Sequence, residues 1–290
     1  MFHTIKSSDL TVTVSERGAE LQSIIGADGT EYLWQGDPTY WQKRSPNLFP
    51  YIGRMPDKTY YLDGQKYHMP IHGFAPTSLF RLIQKDEAQL VFELTENEET
   101  YELYPRKFSF RVAYTVQGKK LTIVFSAENR DEKAMYFSMG GHPGFRVPLT
   151  DGLAFDDYRL RFAEKSLPSR VVLCKDHLVA GLAPYPLQDD CIIPLRHDLF
   201  DGDAVVLEGS GTSVTLESEK DFHAVTVEYP QMKYVGFWHT NQSDAPFVCI
   251  EPWSALPSRT GITESLETQP GLTALAPGQT HTNTWSITIK

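Results

Sequence analysis

Apolar and polar side chains alternate through most of this chain. From Phe108 the sequence sets Phe108, Phe110, Val112, Tyr114 and Val116 on one face of an extended segment and Ser109, Arg111, Ala113 and Thr115 on the other, the period of two that marks a half-buried strand. Gln117-Gly118-Lys119-Lys120 breaks the pattern and Leu121, Ile123, Phe125 and Ala127 restart it, so Phe108 to Asn129 is predicted to be an antiparallel hairpin. Tyr60 to Met69 predicts a second, turned by Asp63-Gly64, a pair that tolerates the positive φ angles of a two-residue turn. Shorter strands are expected at Leu10 to Val14, Leu90 to Thr95, Tyr158 to Phe162, Ala204 to Leu207, Val214 to Leu216, Ala224 to Tyr229, Tyr234 to His239, Phe247 to Ile250 and Trp285 to Ile289. No segment keeps a helical apolar stripe beyond about three turns, so helices should be few and short.

Many strands joined by Gly- and Pro-containing turns imply stacked antiparallel sheets. The expected fold class is all-β, a large antiparallel sandwich formed by residues 1–290 as a single domain. Ser166 to His197, interrupted by Pro168, Pro184, Pro186 and Pro194, reads as an irregular excursion at a sheet edge, and Leu256 to Gly278 reads as loop.

Composition adds a filled core, with 41% hydrophobic and 12% aromatic residues, and a formal net charge of −10. That charge repels phosphate backbones and anionic lipid, so neither nucleic acid nor membrane is an expected partner. Met1 to Leu10 lacks the apolar core and cleavage site of a signal peptide, and a cytoplasmic location is expected. Cys174, Cys191 and Cys249 have no Cys-x-x-Cys spacing, which suggests reduced structural thiols rather than disulfides or zinc.

The candidate chemistry lies where apolar runs end in a polar residue beside glycine or proline. His142 in Ser138-Met139-Gly140-Gly141-His142-Pro143-Gly144-Phe145 is a candidate proton donor, its imidazole held at a defined angle by a proline-fixed, glycine-flanked backbone. Glu251 in Phe247-Val248-Cys249-Ile250-Glu251-Pro252-Trp253 is the matching acceptor, with a strand-end cap in solvent as its alternative. Arg54 follows Leu48-Phe49-Pro50-Tyr51-Ile52-Gly53, and His72 sits in Ile71-His72-Gly73-Phe74. Reduced hydration at such places strengthens hydrogen bonds and shifts pKa values. Two proton handlers on a β scaffold point to acid/base chemistry with no cofactor. His68, His177, His197, His223, His239 and His281 are read as structural, and a metal site built from His72, His142 and Glu251 is set aside.

The ordered set Asn47-Leu48-Phe49-Pro50-Tyr51-Ile52-Gly53-Arg54, His72-Gly73-Phe74, the Tyr104-Pro105 to Tyr114 segment, Gly141-His142-Pro143 and Cys249-Ile250-Glu251-Pro252-Trp253 resembles the aldose 1-epimerase (galactose mutarotase-like) family, and within it the LacX-like bacterial branch. The resemblance implies a galactose mutarotase-like supersandwich whose open face holds a sugar. It implies His142 as general acid, Glu251 as general base, and Arg54 and His72 as ligands of sugar oxygens. An acidic ligand of sugar hydroxyls is also implied, for which Asp203 in Phe200-Asp201-Gly202-Asp203-Ala204 is the choice and Asp201 the next.

The implied reaction interconverts the anomers of an aldose by ring opening and reclosure. A carboxylate of ordinary pKa is ionised at neutral pH, and its charge should keep a nearby imidazole protonated. Two other functions use the same scaffold: a sugar-binding or sensing protein without turnover, and a hexose-phosphate mutarotase. The second needs basic residues near the site, and Lys43, Arg44 and Arg81 are the candidates close to Arg54 and His72 in sequence, with the overall acidity weighing against it. Trp253, Phe74 and Phe145 are candidates for stacking on a sugar face.

Overall fold

In the computed structural model, which describes residues 1–290, two large antiparallel sheets dominate. The nine-stranded sheet runs, in spatial order, Ile192–Pro194, Tyr158–Phe162, Ser213–Ser218, Val225–Glu228, Thr280–Ile289, Lys120–Asn129, Phe108–Gln117, Gln89–Thr95 and Arg81–Lys85. The eight-stranded sheet runs Val179–Pro184, Ser169–Leu173, Val205–Glu208, Tyr234–Trp238, Phe247–Trp253, Gly140–Gly141 and Asn47–Leu48, with Gly144–Arg146 also pairing to Phe247–Trp253. Phe2–Lys6, Leu10–Ser15 and Leu21–Gly26 make a separate three-stranded sheet.

The alternating pattern becomes the core. In the Phe108–Asn129 hairpin, paired from Lys120 against Gln117 to Asn129 against Phe108, every apolar position named from sequence is buried, and these side chains join a cluster of 62 buried residues. The Tyr60 hairpin forms as Thr59–Leu62 and Gln65–His68, with Asp63 and Gly64 both at positive φ. The chain is thus all-β, with one short α-helix, Glu98–Leu103. Asn97 and Thr100 cap that helix reciprocally, a hydrogen-bonding arrangement that fixes a helix start without an apolar stripe. No helix is long and apolar enough to cross a membrane.

Several regions differ from the sequence reading: Leu256 to Gly278, read as loop, contributes the strand Thr273–Leu275, paired with Met135–Phe137, and the strand expected at Trp285 to Ile289 begins at Thr280. Ser166 to His197 does lie at sheet edges, but it contributes the strands Ser169–Leu173, Val179–Pro184 and Ile192–Pro194; edge strands admit proline because one row of amides has no partner to lose. Phe2–Lys6, Leu21–Gly26 and Arg81–Lys85 are strands without a sequence signal of their own. The strand expected at Phe247 to Ile250 runs on to Trp253, and all seven of its residues are buried.

Candidate active site

Strand Phe247–Trp253 is buried on both faces because it lies between two environments. Val248 and Ile250 point into the main core, while the period of two sends Phe247, Cys249, Glu251 and Trp253 to the opposite face. On that face Phe247 and Cys249 pack with Trp34, and Trp253 packs with Leu48, Ile52 and Val206. The neighbouring strand behaves alike, with Val235 and Phe237 in the main core and Tyr234 and Trp238 on the other side. Gly236 is the cross-strand partner of Glu251, so no side chain crowds the carboxyl group there.

His142 lies between the short strands Gly140–Gly141 and Gly144–Arg146, and its N–H donates to Pro46 O at 3.0 Å. The glycines around it are not at positive φ. They permit close packing instead: a Cβ on Gly141 would stand 2.5 Å from the Trp285 ring. His142 is thereby drawn against Phe247–Trp253, and its Nε2 stands 3.2 Å from Glu251 Oε2.

Both groups are almost fully buried, with side-chain exposures of 10% and 2%. They are close without being aligned as a hydrogen bond, and Glu251 Oε2 and His142 Nδ1 have no hydrogen-bond partner in the protein. Burial pushes the His142 imidazole well below its usual range, and the His72 and Lys43 charges act in the same direction. Burial pushes the Glu251 carboxyl well above its usual range, with the Asp203 charge adding to it and the Trp253 indole N–H opposing. Burial thus works against the expected imidazolium and carboxylate, because desolvation disfavours the charged form of each group.

These residues line a cleft of about 260 Å³, together with Arg54, His72 and Asp203. His72 has φ 63°; its N–H donates to Gly53 O at 3.0 Å, and its Nδ1 accepts from Gly53 N–H at 3.1 Å. Desolvation, helped by the Lys43 and Arg54 charges, lowers its pKa to about 3. With Nδ1 committed as acceptor, the neutral ring carries its proton on Nε2. Arg54 is exposed and forms no ion pair. Asp203 is hydrogen-bonded to His177 Nδ1.

Aromatic rings complete the walls. Trp41 stacks on the His142 ring with centroids 5.0 Å apart, and Trp238 meets it edge-on at 5.9 Å.

The family profile described as aldose 1-epimerase matches residues 1–288. The chain belongs to the aldose 1-epimerase family. It is 32% identical to the plasmid-encoded protein LacX of Lactococcus lactis subsp. lactis, over 98% of each chain. A galactose mutarotase-related enzyme from Lactobacillus acidophilus is 33% identical and superposes with a TM-score of 0.93, over 100% of this chain and 97% of that one. A galactose mutarotase-like protein from Lactobacillus casei is 31% identical with a TM-score of 0.95, over 100% of both chains.

In this aldose 1-epimerase family member, His142, Glu251, Arg54, His72 and Asp203 all reach one cleft. Asp201 does not line it, and Glu251 is not a solvent-facing cap. Among the stacking candidates only Trp253 reaches the cleft; Phe74 packs against Phe49 and Phe108, and Phe145 is in the main core. His177, read as structural, lines the cleft beside Asp203. Trp41 and Trp238 were not singled out from sequence, and the loop position of Trp41 leaves no periodic signal that would find it.

His68 and His72 have the His-x-x-x-His spacing of a helical metal pair, which the sequence reading passed over. Here Pro70 intervenes, and His68 ends a hairpin strand while His72 lines the cleft. His142, Cys249 and Glu251 bring their donor atoms within 4.8 Å of one another. Burial raises the Cys249 thiol as well as the Glu251 carboxyl, so a metal there would first have to displace both protons.

Proposed function

We propose that this protein interconverts the α and β anomers of an aldose by opening and reclosing the sugar ring. The supporting observation is the approach of Glu251 Oε2 to His142 Nε2 at 3.2 Å within the walls of one sugar-sized cleft. Glu251 takes the proton of the C1 hydroxyl while His142 gives one to the ring oxygen. The C1–O bond to the ring oxygen breaks as the C1 carbonyl forms. After rotation about C1–C2, the reverse transfers close the ring on the other face.

This assignment requires the proton of the pair to sit on His142 when the ring opens. Burial favours it on Glu251, and shifting it across the 3.2 Å gap changes no net charge. A sugar hydroxyl that donates to the unpartnered Glu251 Oε2 stabilises the carboxylate, while His142 gains the ring oxygen as acceptor. The substrate thus loads the pair without proton uptake from solvent. His72 Nε2–H and the Arg54 guanidinium donate to sugar oxygens, Asp203 accepts from a hydroxyl, and the apolar sugar face lies against the tryptophans.

The test is the decay of optical rotation of freshly dissolved α-glucose and α-galactose, with wild type, His142→Ala and Glu251→Gln. Acceleration by wild type that either variant abolishes supports the mechanism. Equal rates for all three would remove both residues from it, and sugar binding without any acceleration would select a binding protein.

A further inference from the structure

Two cations in the cleft wall have no anionic partner. Lys43 and Arg54 both line the cleft, both are exposed, and neither makes a hydrogen bond or ion pair through its side chain. They come from different loops, line the same cleft as His72, and the charges of both reach its ring. The two other basic candidates named from sequence are occupied elsewhere. Arg44 donates to Gln22 O at 2.6 Å, and Arg81 pairs with Glu93 at 2.8 Å on the nine-stranded sheet.

Neither acidic group of the cleft pairs with these cations: Asp203 is hydrogen-bonded to His177, and Glu251 stands against His142. The formal charge of −10 belongs to the whole surface, and at physiological ionic strength charges farther away than about 8 Å are largely screened. Within the cleft the two free cations outnumber the Asp203 carboxylate. A neutral sugar needs hydrogen-bond donors, but it leaves two full positive charges uncompensated. A phosphate ester compensates both, since an ammonium supplies a point charge and a guanidinium a bidentate fork.

We propose that the substrate is an aldose phosphate, with Lys43 holding the phosphate and Arg54 dividing its guanidinium between the phosphate and a sugar oxygen, while the anomeric carbon faces His142 and Glu251. This rests on the mutarotase reading for the reaction, but its charge requirement can be measured separately.

The experiment compares anomer exchange by NMR exchange spectroscopy for glucose, galactose and their 6-phosphates, in wild type, Lys43→Ala, Lys43→Arg and Arg44→Ala. A charge-assisted hydrogen bond contributes about 1.5–3 kcal/mol, so kcat/KM for the phosphates should exceed that for the free sugars by about tenfold or more. Lys43→Ala should bring this ratio down towards one, and Lys43→Arg and Arg44→Ala should keep it. The ratio should also shrink as salt is raised. Equal or better turnover of the free sugars by wild type, or a ratio untouched by Lys43→Ala, overturns the proposal. If no sugar is turned over, the mutarotase reading fails while calorimetry still decides the charge requirement: hexose 6-phosphate must bind more tightly than hexose, and through Lys43. Equal affinities would end the proposal on that route too.

Discussion

Trp41 stacks over the imidazole of His142 at 5.0 Å, inclined to it by 28°, and so covers one face of the ring. On the edge of the ring stands Glu251, at 3.2 Å. Part of the burial that lowers the imidazole pKa thus comes from a side chain that carries no charge. Removing the indole should rehydrate the ring and let its pKa rise toward the usual value of about 6.5. NMR titration of the His142 ring protons in Trp41→Ala should show this rise, and an unchanged titration would mean that other neighbours set the shift.

Loss of either member of the pair should affect turnover far more than folding. One positioned proton transfer contributes about 10²- to 10⁴-fold, so Glu251→Gln should slow anomer exchange by at least about a hundredfold. The amide fills the same space without an acidic proton or a buried charge, and the melting temperature should hold or rise. Exchange rate and calorimetric melting, measured on one preparation, separate the two effects.

The depressed histidines make stability depend on pH in one direction. His72 has a folded pKa of about 3 and His239 of about 4, against about 6.5 when unfolded. Both are neutral in the fold where the unfolded chain is already protonated, so their contribution is complete above about pH 6.5 and is lost as pH falls toward the folded values. His72→Asn keeps a side-chain acceptor for the Gly53 N–H and tolerates positive φ. In urea titrations between pH 4 and 7, this variant should flatten the fall in stability by up to one proton's worth of slope. A slope equal to wild type would show that His72 titrates normally.

Packing behind His142 should be intolerant of even one methyl group. Gly141→Ala would place its Cβ 2.5 Å from the rigid Trp285 ring, and overpacking of this kind costs about 1–3 kcal/mol. Urea unfolding should register that loss, and Trp285→Phe in the same chain should recover part of it.

The long hairpin and most of the strands could be read from sequence because alternation is itself the record of a two-sided environment, as at Phe108 to Val116. The sequence signal of the Glu251 strand stops at Ile250 because a glutamate and a proline in succession resemble an ending. Ile250 N–H donates to Pro143 O, so the amide position two residues on faces the same edge, between the partners Gly144 and Gly140. Pro252 forfeits no ladder bond at that interruption.

The residues gathered in the cleft were accessible where polar groups followed apolar runs, as at Arg54, His72, His142 and Glu251. What escaped reading depends on contacts between distant segments. His177 gains its setting from Asp203, and Trp41 gains its role from His142; neither carries a local pattern. The directions of the pKa shifts in the central pair also lie outside the sequence signal, because desolvation depends on everything packed around the two groups.

The strand Phe247–Trp253 gives one set of side chains to the main core and the alternate set to the cleft. A shift of one residue would exchange the two sets, so insertions and deletions here forfeit foldedness and reactivity together. Lys43 and Arg54 sit on loops and bear no such double obligation. Descendants of this scaffold are free to change what they accept at the rim while their central strand stays fixed in length.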